Sequence, residues 1–173
     1  GGESGNRIRL ETFVQRYYLK QILVRANNRF RDMTDGQYEL RVIDEEKAGT
    51  GGRNGSDNSL SLYVYSYEND SVRSIETLSG GETFMASLAL ALGITDRIEE
   101  RSSAVNLDIM FIDEGFGSLD AETLRVAMDA LESLRTQGRK IGVISHVQEM
   151  TERIPVQIRV NRAGNGRRYL EVI

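Results

Sequence analysis

The sequence predicts an α/β fold, and three observations lead there. Two short apolar runs, "LDIMFID" from Leu107 and "KIGVIS" from Lys140, stand on either side of a helix-patterned segment from Asp120 to Gln137. That order places two parallel strands around a right-handed crossover helix. Both runs are apolar at successive positions, the pattern of strands in a parallel sheet covered on both faces. Leu124, Ala127, Met128, Leu131 and Leu134 supply the helix stripe that covers such a sheet, and Gly138 stands where a helix C-terminus needs a left-handed residue.

The other elements follow in chain order. Phe13, Tyr17, Ile22, Ala26, Phe30 and Met33 recur near helical spacing and predict one long amphipathic helix. "QYELRVID" and "LSLYVYSY" alternate as strands do and predict an antiparallel hairpin, joined through the glycine-rich stretch between them, a flexible loop around Gly49 to Ser59. Gly49, Gly51 and Gly52 are not followed by Lys-Ser or Lys-Thr, so that loop does not read as a phosphate loop. A helix runs from Gly81 toward Arg101, and after the second apolar run come a short helical segment and two terminal strands, "PVQIRVNR" and "RRYLEVI".

Composition bounds the function. With 173 residues, 39% hydrophobic and 28% charged, the chain predicts a single domain with its own core. Its longest strongly apolar stretch, within Ser87 to Ile94, is too short for a bilayer, so no membrane partner is expected. The sequence has no cysteine, which favours a reducing, cytoplasmic setting. A net charge of -4 confines any nucleic-acid contact to a local basic patch. Arginines 25, 29 and 31 and arginines 159, 162, 167 and 168 are the candidates, with ordinary surface charge as the plainer reading. Gly1, Gly2 and Gly5 are assigned no role.

Three stretches carry chemistry. In "TLSGGETFMASLALALG", from Thr77, a serine and two glycines precede an apolar helix. The junction suits an anion, because helix-terminal N–H groups are unpaired and glycine permits close approach, but an ordinary capped helix has the same residues. "FIDEGFGSLD" sets Asp113 and Glu114 at the carboxyl end of an apolar strand, where open α/β sheets bind ligands. One carboxylate can hold Mg2+ and the other can polarise an attacking water, or the pair simply ends the strand in solvent. "VISHVQE" places Ser145 and the sole histidine, His146, at the same edge if the two strands are neighbours.

The ordered set "LSGGE", "FIDEGFGSLD" and "SH" resembles the ABC-type ATPases. By that resemblance Ser79, Gly80, Gly81 and Glu82 form a signature motif that meets nucleotide in trans. Asp113 and Glu114 then end the Walker B strand, with Asp113 toward Mg2+ and Glu114 catalytic. Ser118, Leu119 and Asp120 form the D-loop, and His146 is the switch histidine. No G-x-x-x-x-G-K-[ST] occurs, and Lys20, Lys47 and Lys140 stand in no such context, so the Walker A of an ATP site is missing. SMC-like chromosome proteins separate the two motif sets by a long coiled coil, and a long helix followed by the second set is similar to their C-terminal lobe.

Within that superfamily "LDIMFIDEGFGSLD", "GVISHVQEMTERIPVQI" and "LETFVQRYYLKQILVRANNRFRDMT" most resemble the bacterial SbcC branch, the ATPase component of a DNA double-strand-break nuclease complex. The resemblance implies one C-terminal ATPase lobe over residues 1–173. Residues 7–35 form its coiled-coil base helix, 36–76 the hairpin with its loop, and 77–173 the motif core. It implies ATP and Mg2+ as cofactors, and four partners: an N-terminal lobe with Walker A, a second head, an SbcD-type nuclease at the coiled-coil base, and double-stranded DNA. The implied setting is the bacterial nucleoid. The competing readings are an SMC-type tethering head and a transporter nucleotide-binding domain.

Overall fold

The computed structural model describes residues 10–42, 61–101, 107, 109–136, 138–164 and 166–173. The glycine-rich stretch from Gly49 to Ser59, expected as a flexible loop, lies outside them.

Helix α1 (Leu10–Met33) leads into a three-stranded antiparallel sheet of β1 (Tyr38–Val42), β2 (Leu62–Ser66) and β3 (Ser71–Ser74). A 3-10 turn over Ile75–Thr77 feeds α2 (Gly80–Arg101). Strand β4 (Ile109–Asp113), α3 (Ala121–Thr136) and β5 (Lys140–Ile144) form the crossover unit. Then come α4 (Gln148–Arg153) and an antiparallel pair, β6 (Ile158–Arg162) and β7 (Arg168–Val172). The α/β class and the parallel pairing of β4 with β5 agree with the sequence. The predicted hairpin gains a third strand: β3 pairs Tyr63 with Ser74 and Ser66 with Ser71, in a stretch whose polar residues give no alternation.

The core lies where α1, α2 and α3 meet the sheets. All five predicted stripe residues of α3 are buried, and Gly138, at φ +91, ends the helix with its N–H on Arg135 and the following N–H on Leu134. On α1 only the later half of the predicted stripe is covered. Ala26 and Phe30 are fully buried, whereas Phe13 is 60% exposed and Tyr17 54%.

Helices α1 and α2 cross closely at Gly93, where an added Cβ would stand 2.9 Å from both the Ala26 nitrogen and the Ile22 carbonyl oxygen. Glycine lets the two backbones approach. Charge pairs flank the crossing: Arg25 binds Glu100, and Arg29 binds Asp96 at 2.9 Å. Arg139, just before β5, joins Asp96 at 2.8 Å and Glu99 at 2.6 Å. At the free edge of β1, the Asn27 amide donates to Leu40 O at 2.9 Å and accepts from Leu40 N–H at 2.8 Å, pairing the edge backbone as a neighbouring strand does.

One expectation needs correction. The parallel pair is not buried on both faces: Met110, Ile112, Ile141 and Val143 pack on the core, but Ile109, Phe111 and Ile144 are 55%, 74% and 56% exposed. The described residues supply helices for one side of the pair, so continuous apolarity here marks a face that the described residues leave uncovered.

Candidate nucleotide site at the strand ends and the signature turn

The β4–β5 register aligns Asp113 with Ile144, and the Glu114 N–H extends the ladder by donating to Ile144 O at 3.0 Å. The chain then turns through two left-handed residues, Glu114 at φ +54 and Gly115 at φ +90. Glycine takes such a φ readily, whereas glutamate does so at a cost of about 1–2 kcal/mol. Ser145 and His146 leave the adjacent strand at the same edge. Asp113, Glu114 and His146 are all exposed, and no side-chain hydrogen bond or ion pair engages any of them among the described residues. His146 borders the turn after Glu114, with Nε2 3.5 Å from the Cβ position of Gly117.

The turn at Ser79–Glu82, expected as a signature motif, is built in the opposite way. The Ser79 N–H donates to Glu82 Oε2 at 2.7 Å, and the Glu82 N–H donates to Ser79 Oγ at 3.2 Å, a reciprocal capping box. Arg73 on β3 holds Glu82 Oε1 at 3.3 Å and Thr77 O at 3.0 Å, while the Tyr38 hydroxyl on β1 also bonds Glu82. Burial pushes the Glu82 carboxyl up, but the hydrogen bonds from Ser79 and Tyr38 and the Arg73 charge outweigh it and hold the group below the usual carboxylate range. The bond to Glu82 in turn raises the Tyr38 phenol.

The capped-helix geometry is therefore realised, and it still leaves donors free. The N–H groups of Gly80 and Gly81 have no acceptor among the described residues, and a Cβ on Gly80 would meet nothing within 4 Å. Neither φ nor packing inside the chain requires glycine at position 80, which fits a surface that a ligand approaches closely.

Of the residues expected to form a D-loop, Ser118 closes the 3-10 turn Phe116–Ser118, and Leu119 and Asp120 follow it. Asp120 caps α3, accepting from the Thr123 N–H at 2.9 Å and the Thr123 hydroxyl at 2.8 Å, bonds that lower its carboxyl below the ordinary value. Leu119 packs against the core and Ser118 is exposed.

Among the described residues no group of three or more histidines, cysteines and carboxylates could hold a metal ion by itself. Sequence reading missed Tyr38 on β1, far upstream, and Arg73 on the nearby β3, which brace Glu82. Of the candidate DNA arginines, Arg25 and Arg29 are spent on α2, Arg31 binds Tyr67 and Glu39, and Arg159 bonds Gln157. No helix among the described residues is long and apolar enough to cross a membrane.

Residues 56–133 match the family described as SbcC/RAD50-like, Walker B motif. The chain is 42% identical to the SbcC component of the nuclease SbcCD from Staphylococcus aureus over 160 residues, 92% of this chain and 15% of that protein. Its counterpart in Staphylococcus saprophyticus is 43% identical over 159 residues, again 92% of this chain and 15% of that protein. Among solved structures, the SMC head domain from Thermotoga maritima superposes with a TM-score of 0.59 at 15% identity, over 94% of this chain and 51% of that one. A Pyrococcus furiosus Smc head domain with an extended coiled coil gives 0.60 at 19% identity, over 94% and 37%. At those identities the likeness to SMC heads speaks for the fold, and the likeness to the SbcC proteins speaks for the lineage. The chain belongs to the SbcC/RAD50-like family, as an SbcC-type C-terminal head lobe.

Proposed function

We propose that this lobe is half of an ATP-hydrolysing head whose phosphate loop comes from an N-terminal lobe of the same protein, and that two such heads pair around ATP and Mg2+. One observation carries the reading: Asp113 and Glu114 after β4 and His146 after β5 leave neighbouring parallel strands at one edge, exposed and, among the described residues, without side-chain partners. The uncovered apolar face of β4 supports a further lobe packing there, and the relatives are long enough to hold one, since the chain spans 15% of their length.

Each residue then has a separate task. Asp113 would hold magnesium, directly or through water. Glu114 orients a water and accepts its proton, and His146 donates to a phosphoryl oxygen. The magnesium nucleotide supplies the scissile phosphoanhydride and charge neutralisation. Ser79 Oγ–H and the free N–H groups of Gly80 and Gly81 donate to the γ-phosphate held by the other head. Glu82 keeps that turn in shape from behind. Asp120, with Ser118 and Leu119, forms the D-loop beside the second head.

By this reading head pairing repositions the coiled-coil base formed by α1 and so governs the access of an SbcD-type nuclease to double-stranded DNA ends. The exposed Phe13 and Tyr17 suit a coiled-coil strand or that nuclease. The test is the solution mass of the chain combined with its N-terminal lobe, with and without Mg-ATP, in a Glu114→Gln background that blocks turnover. Doubling that depends on ATP, and that Ser79→Arg abolishes, is expected; an unchanged mass with nucleotide bound overturns the proposal.

A further inference from the structure

The two halves of the candidate site touch inside one chain. Phe84, in the first turns of α2, lies with its ring 4.7 Å from that of Phe116, centroid to centroid, at an interplanar angle of 58°. Phe116 is 1% exposed. The same Phe84 ring stands 3.1 Å from the Cβ position of Gly115, and apart from the two chain neighbours no other group among the described residues comes within 4 Å of that position. A second contact runs alongside: a Cβ on Gly81 would lie 2.9 Å from Thr123 Cγ2, and Thr123 is fastened to Asp120. His146 Nε2 lies 3.5 Å from the Cβ position of Gly117, in the same turn. Signature turn, catalytic turn and histidine are one packed series.

This matters because of the pairing proposed above, on which the inference rests. The signature turn of a head serves the nucleotide bound by its partner, while Glu114 and His146 serve the head's own. A contact between them joins the two ATP sites. We propose that Phe84 is a positioning residue that relays engagement of the signature turn to the Glu114–Gly115 turn of its own head, so that the two sites turn over as a coupled pair. The catalytic turn is suited to such control. Glu114 sits at φ +54, a conformation held by its surroundings rather than by its own preference, and the Phe84 ring is the group that closes on the residue after it. A shift of the first turns of α2 therefore reaches the backbone that aims the carboxylate.

The test is a double-mutant cycle in the full-length protein, reading steady-state kcat for Ser79→Ala, Phe84→Leu and the double variant, with thermal unfolding of each. The direct hold of Ser79 on phosphate is lost equally in both backgrounds and cancels; only the relayed part fails to add. The double variant is expected to keep at least about five times the kcat given by multiplying the single losses. Phe84→Tyr, which keeps the ring, is expected to restore the additional Ser79 effect. Phe84→Met serves where Phe84→Leu does not fold. Losses that multiply within about twofold, beside a clear Ser79→Ala defect, overturn the relay and leave the head reading intact. A Ser79→Ala protein with undiminished turnover overturns both.

Discussion

The turn proposed as the signature motif and the Walker B strand edge lie in one chain, yet they are finished to different degrees. At the signature turn Glu82 is held by Ser79, Tyr38 and Arg73, and behind it α1 and α2 are locked at Gly93 and by charge pairs. At the strand edge Asp113 and Glu114 after β4 and His146 after β5 are exposed without side-chain partners among the described residues, and β4 keeps Ile109 and Phe111 exposed. Polar groups that a chain satisfies by itself report on its stability. Groups it leaves unsatisfied on a rigid strand end report on what it binds.

The largest effect separates these two kinds of residue outright. Glu114→Gln in the completed head should lower turnover by about 10²–10⁴-fold, the usual contribution of a general base, while nucleotide affinity and the unfolding midpoint stay in place. Glu114→Gly should remove turnover as well, but raise stability by about 1 kcal/mol by relieving the left-handed backbone at φ +54. A Glu114→Gly protein that unfolds earlier than the parent would break the comparison, since the edge would then contribute to the fold.

On the finished side, Gly93→Ala probes the helix crossing. Inside an exposed helix that change gains about 1 kcal/mol. Here the new methyl meets α1 backbone at 2.9 Å, so the helices must part and a net loss of about 1–2 kcal/mol is expected in chemical denaturation. A gain would mean that α1 and α2 slide past one another freely.

How far the sequence shows this division depends on the range of the forces involved. The α3 stripe from Leu124 to Leu134, the parallel pairing of β4 and β5, and the edge shared by Glu114 and His146 could be read from periodicity and strand order. These patterns repeat within a few residues. Strand β3 escaped because "SVRS" has no apolar alternation and is held by its pairing with β2. The brace on Glu82 escaped because Tyr38 lies more than forty residues upstream and nothing local marks it. The bare face of β4 was misread because continuous apolarity shows that a face will be covered, without showing by what.

Asp96 sharpens the comparison through pH. Burial pushes its carboxyl up, but hydrogen bonds and charge from Arg29 and Arg139 outweigh this and hold it below the ordinary value. A carboxyl with a depressed folded pKa contributes fully above its unfolded pKa of about 3.9, and that contribution is lost as pH falls through the folded value. Asp96→Asn should cost about 1–2 kcal/mol at pH 7, because Arg29 is left half-buried without its partner, and should flatten the fall in unfolding midpoint below about pH 4. An unchanged acid limb would remove Asp96 from the stabilising set.

Glu82 gives the smallest expected change and decides what the signature glutamate is for. Its pKa is depressed like that of Asp96, so its contribution too is complete above the ordinary Glu value of about 4.3 and lost as pH falls through the folded value. Glu82→Gln keeps an oxygen for the Ser79 N–H, since glutamine serves in a capping box, but gives up the charge facing Arg73. The expected loss at pH 7 is about 0.5–1 kcal/mol, with Glu82→Ala costing more because the cap itself goes. If Glu82 acts only by shaping the turn, Glu82→Gln should retain head pairing under Mg-ATP and Glu82→Ala should weaken it in proportion to the lost stability. Pairing that fails equally in both would mean that the charge itself is needed between the heads, and the signature turn would then belong with the unfinished edge.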